Sequence, residues 1–173
     1  MIFYPMNYTI TEKRLPENSH LRYKIDMMIR DGDTFIQKNL EHLNILFYKY
    51  EIKEAVTELS LEEDIILQLI EDYVIQILKS KMAFYKYIHE LKKDMLDGKV
   101  LDYTNIRNLA HKNLGVVRNL RIKDAQILLE VIMTEEDLDY LRLCVKALEI
   151  SAIKLNPLCA YETLNLIAVK NSL

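Results

Sequence analysis

Glycine and proline each occur only three times in 173 residues, and this scarcity does most to limit what the chain can fold into. Strands and their turns need both residue types as punctuation, whereas helices joined by short connections do not. Leu, Ile, Lys and Glu are abundant, so an all-α fold is expected. The length suits one compact domain with an extension. Half the residues are hydrophobic and 28% are charged, and the charges are spread along the chain as in a globular protein rather than a disordered one.

Apolar spacing locates the helices. A short helix is expected from about Ser19 to Arg30, ended by Asp31-Gly32-Asp33. Thr34 would then cap a second helix with the stripe Ile36, Leu40, Leu43, Phe47 and Tyr50. The first seventeen residues, with Pro5 and Pro16, read as an extended lead-in. The stripe fades near Glu51, so residues 1–51 are read as a helical extension to residues 52–173. Ser60-Leu61-Glu62-Glu63 has the form of a capping box opening a long helix. Its stripe is Ile66, Ile70, Tyr73, Ile77, Phe84, Ile88, Leu91 and Met95, and Gly98 stops it. Asp102 or Thr104 would cap the next helix. A shorter one follows over 123–133, then another from Thr134 with Leu138, Leu141, Val145, Leu148, Ala152 and Leu155 in register. Asn156-Pro157 ends that helix and starts a last one. The expected architecture is an antiparallel four-helix bundle over 60–156 with additional N- and C-terminal helices.

The net charge of −3 disfavours a surface built for nucleic acid or for an anionic membrane. Cys144 and Cys159 read as free thiols in a reducing compartment. MIFYPMNYTI has neither a basic region nor a small-residue cleavage pattern. No run approaches the ~18 apolar residues of a membrane span, so a cytoplasmic protein without membrane contact is expected. Metal chemistry finds little support, because only Glu17 and His20 have the Glu-x-x-His spacing of di-iron bundles. No metal and no cofactor are expected.

The segment LAHKNLGVVRNLRI, Leu109–Ile122, is the exception to this blandness. From Tyr103 to Lys123 there are five Lys or Arg and no Asp or Glu, which leaves 18 basic against 26 acidic residues elsewhere. On a helical wheel Ile106, Leu109, Ala110, Val117 and Leu120 gather on one side. His111 falls on the other, with Arg107 a turn before it, Gly115 a turn after and Arg118 two turns after. An exposed imidazole can act as a nucleophile near neutral pH. Glycine lets a partner's backbone come close, and Arg107, Lys112 and Arg118 could offset a phosphoryl charge.

His111, Gly115, Asn119 and Leu120 resemble the signature of histidine phosphotransfer (HPt) domains: a histidine, a glycine four later, an asparagine-like position eight later and an aliphatic nine later. The order of helices over about residues 52–156 is similar to that family's. The sequence departs from the signature at Leu114, where the family has lysine, and at Asn113, a usual core aliphatic. Val116 and Val117 are larger than the usual small pair, and Arg121 stands at a common glycine. The resemblance implies a phosphorelay carrier that takes a phosphoryl group on His111 from a receiver-domain aspartate and returns it. Its partners would be receiver domains or a hybrid histidine kinase. Separately from the resemblance, the N-terminal helices are a candidate homodimer surface. The rival readings are a non-catalytic helical adaptor that docks an acidic partner, and a helix-turn-helix protein suggested by Leu109-Ala110 and Leu114-Gly115-Val116. The latter's alanine-to-glycine spacing is one residue too long.

Overall fold

The computed structural model describes residues 19–173. The expected lead-in with Pro5 and Pro16, and Glu17 of the Glu17/His20 pair, lie outside them. The described residues contain seven α-helices and a short 3-10 turn, with no strand. The helices are α1 (Ser19–Leu40), α2 (Ile52–Leu59), α3 (Glu63–Leu96), α4 (Thr104–Leu120), α5 (Lys123–Thr134), α6 (Leu138–Leu155) and α7 (Pro157–Ser172). The all-α expectation holds. None of these helices is long and apolar enough to cross a membrane.

Contrary to expectation, Asp31-Gly32-Asp33 does not end a helix, since α1 runs through it. Gly32 is buried against α6, where an added Cβ would meet Ile150 Cγ2 at 2.7 Å. Asp33 takes an ion pair from the buried Lys154 at 2.7 Å, and Thr34 Oγ1 donates back to Arg30 O at 2.9 Å instead of capping. Packing against α6 thus outweighs the cost of about 1 kcal/mol for a glycine inside a helix. Downstream, the 3-10 turn Glu41–Leu43 and left-handed Asn44 (φ 54°) end the helical run. The expected stripe breaks there, with Phe47 79% exposed and Tyr50 buried.

The capping box is likewise not formed. Ser60 is the left-handed residue (φ 52°) that ends α2, and α3 starts after Glu62, which makes no side-chain cap. Glu63 and Asp64 in the first turn still favour the helix N-terminus electrostatically. The α3 stripe is buried from Ile66 to Leu91, while Met95 is exposed. Gly98 (φ 69°) ends the helix as expected. Thr134 closes α5 rather than opening α6, because the Asp137 carboxylate accepts from the amides of Asp139 and Tyr140 at 2.9 Å and fixes the later start. Asn156 caps α7 through Cys159 N at 3.2 Å, with Pro157 in the first position.

Helix α4 packs on α3 and α5, and α6 packs on α3 and α5. The ion pairs Lys81–Glu149 and Lys92–Asp139 run α3 and α6 antiparallel. Helix α1 lies along α6, and α7 packs on α3. Helix α6 is therefore surrounded, and every residue from Ala147 to Leu155 is buried. Cys144 is buried and Cys159 half-buried, both free. Burial pushes the Cys144 thiol up to about 12.

Candidate functional site

Helix α4 places His111 near its middle, and both of its ends are fastened to other elements. At the N-terminal end the Asp102 carboxylate accepts from Thr104 N at 2.9 Å. Tyr103 OH donates to Glu136 O at 3.0 Å. The Arg107 guanidinium lies 4.9 Å from the Tyr103 ring centre and 3.6 Å from the Glu136 carboxylate. At the C-terminal end Tyr50 OH donates to Leu120 O at 2.6 Å and Tyr48 OH to Arg121 O at 3.0 Å, satisfying carbonyls that a helix end leaves free. Desolvation raises both phenols, so they remain protonated donors at neutral pH.

The wheel reading of α4 matches its burial. Ile106, Ala110, Val117 and Leu120 face the core and Leu109 is half-buried, while His111, Lys112, Gly115, Arg118 and Asn119 are exposed. Apart from the adjoining backbone of α4 itself, no atom lies within 4 Å of where a Cβ at Gly115 would stand. The outward face of α4 is thus open at His111 and one turn beyond it.

The positive charge is more constrained than the sequence suggests. Arg118 is held by Glu130 at 2.9 Å, Arg107 by Glu136, Arg121 by Glu58 at 2.7 Å and Lys123 by Glu54 at 3.1 Å. Gln126 and Arg118 together hold the Glu130 carboxyl below its ordinary range. Of the five cations between Tyr103 and Lys123, Lys112 alone has no ion pair among the described residues. The neutralising carboxylates come from α2, α5 and the α5–α6 turn. No local pattern within 103–123 could have revealed them.

The departures from the HPt signature have clear positions. Leu114 is 3% exposed, a core residue. Asn113 is fully buried with both ends of its amide engaged: Nδ2 donates to Leu109 O at 2.9 Å, and Gln76 Nε2 donates to its Oδ1 at 3.1 Å. Gln76, which the sequence reading passed over, also lines an open groove along α3 with Asp72, Ile75, Lys79 and Ser80. Arg121 has φ 60°, the left-handed conformation that favours glycine. Among the described residues no group of His, Cys, Asp and Glu could hold a metal ion.

The chain matches no family model, no curated protein and no solved structure.

Proposed function

We propose that the protein is a phosphorelay carrier of the HPt type, with α3 to α6 as its antiparallel four-helix bundle and α1, α2 and α7 as additions. The observation that carries the reading is His111, exposed near the middle of a helix fastened at both ends, with open space over Gly115 one turn away. Two further features support it. The pairwise packing of α3, α4, α5 and α6 closes a ring. Arg121 is left-handed at the position where the family has glycine, so the backbone keeps the turn although the residue has changed.

In this reading a neutral imidazole nitrogen of His111 attacks the phosphorus of a receiver's aspartyl phosphate in line. The N–P bond forms as the P–O bond to the aspartate breaks, the carboxylate leaves, and the ring gives up its other N–H proton. The reverse step hands the phosphoryl group on. Most of the chemistry belongs to the receiver, and this chain supplies position and charge. Lys112 is the cation free to meet the phosphate. Arg118 is half-exposed, and an exposed ion pair of this kind is worth only about 0–1 kcal/mol, so it can exchange Glu130 for phosphate at small cost. Arg107 stays on Tyr103 and Glu136 and mainly holds the start of α4.

A second reading rests on Leu114 and on the ion pairs of the four arginine and lysine side chains. A surface whose cations are mostly neutralised and whose expected lysine is a core leucine suits a docking adaptor without phosphoryl chemistry. Incubation with a panel of phosphorylated receiver domains separates the two. The carrier reading requires an acid-labile, alkali-stable phosphate that disappears in His111→Ala, an exposed substitution that leaves the fold intact. Binding without label from every receiver refutes the carrier and favours the adaptor.

A further inference from the structure

Helix α7 is apolar on more than the side it buries. Ala160 and Thr163 are buried and Leu164 and Ile167 half-buried on its inner side, where it packs on α3 and α6. On the outer side Leu166 is 65% and Val169 58% exposed. Helix α3, on which α7 rests, exposes Ile65 and Leu69 as well. Exposed apolar residues that line up on the outer side of an already packed helix mark a surface on which a partner can dock.

The charges beside this stripe indicate which partner. Glu162, Leu166 and Lys170 are spaced four apart, so they run along one side of α7 over roughly 12 Å at ~1.5 Å per residue. Glu162 and Lys170 are exposed, and neither has an ion pair or hydrogen bond among the described residues. Opposite charges equidistant from a central leucine form a pattern that is complementary to itself. When two α7 helices pack antiparallel about a two-fold axis at Leu166, Glu162 of each copy comes level with Lys170 of the other. Leu166 then meets its own equivalent, with Val169 beside it. A parallel pairing would set glutamate against glutamate. Two-fold symmetry repeats each contact, as isologous interfaces require.

We propose that α7 is the surface through which two copies of this chain associate, antiparallel and centred on Leu166. Sedimentation equilibrium of the full chain over a concentration series should show a monomer–dimer equilibrium. Under mild oxidation Leu166→Cys should give a disulfide-linked dimer, because a two-fold axis at this position places residue 166 against itself, and the charge reversals below separate the antiparallel pairing from a parallel one. Glu162→Lys and Lys170→Glu should each weaken the dimer roughly tenfold, since each turns two exposed attractions into repulsions. The double variant Glu162→Lys/Lys170→Glu should restore it, a rescue that misfolded protein would not show. A monomer at every concentration overturns the proposal, whether the stripe is then covered by another protein or by nothing. So does a dimer that ignores both single reversals, or one in which Leu166→Cys fails to cross-link.

Discussion

Two glycines lie inside helices of this protein, and the same substitution at each should change stability in opposite directions. At Gly115 an added methyl meets nothing within 4 Å beyond the adjoining backbone of its own helix, so Gly115→Ala should gain the helix-propensity difference, about 0.8–1 kcal/mol. At Gly32 the methyl would stand 2.7 Å from Ile150 Cγ2 and 3.3 Å from Ile150 Cγ1. Ile150 is β-branched, so its χ1 is nearly fixed in a helix, and α6 is buried on every side at that point. Neither the side chain nor the helix can yield cheaply. Overpacking of a core costs about 1–3 kcal/mol, and an overlap this deep against a stiff neighbour belongs in the upper part of that range. After the propensity gain is subtracted, Gly32→Ala should destabilise by about 1–2 kcal/mol. Urea unfolding measures both variants directly. For a chain of this length each 1 kcal/mol corresponds to a Tm change of about 2–4 °C. Ile150→Ala removes both clashing atoms, so in a double-mutant cycle it should cancel the Gly32→Ala penalty while carrying its own cavity cost. Stabilisation by Gly32→Ala, or no coupling to Ile150, would refute the claim that Gly32 exists for close packing of α1 on α6.

Three further outcomes follow from the same geometry. Arg121→Gly should raise the urea midpoint, because relief of a left-handed non-glycine residue, about 1 kcal/mol or more, exceeds the loss of the exposed pair with Glu58; Arg121→Val should lower it. Lys154→Met leaves the Asp33 carboxylate and the Leu46 carbonyl without their shared donor at 2.7 and 2.8 Å, and should cost about 2–3 kcal/mol by chemical denaturation. Desolvation raises the buried Asp124 carboxyl above its ordinary 3.8, so the folded state holds that proton more tightly than the unfolded chain. Its contribution is therefore most favourable below pH 3.8 and is lost as pH rises through the raised value. Asp124→Asn should accordingly be at least as stable as the parent at pH 7 in a Tm–pH series, with its relative advantage shrinking toward pH 3; a growing advantage on acidification would contradict the assignment.

The sequence was readable wherever one helical face meets one core. The stripes of α3 and α6, the stop at Gly98, the junction at Asn156-Pro157 and the outward placement of His111 all follow from local spacing. The reading failed where a distant element decides the outcome. Asp31-Gly32-Asp33 has the composition of a turn, but Ile150 and Lys154, more than a hundred residues away, make it the middle of a helix. Ser60 has the form of a cap, yet the left-handed conformation that closes α2 takes it out of α3. The cations around His111 looked unopposed because Glu54, Glu58, Glu130 and Glu136 are contributed by other segments. Leu114 is legible as a departure from a motif, but its core position is set by the helices around it.

The enclosure of α6 also bears on how the chain is made. A ribosome releases residues at about 5–20 per second, N-terminus first. Helices α1, α3 and α5 emerge with apolar faces whose shared neighbour has yet to be synthesised. Asp33 waits 121 positions for Lys154. No early segment has its full set of packing neighbours until α6 has left the exit tunnel, so the core closes late in synthesis.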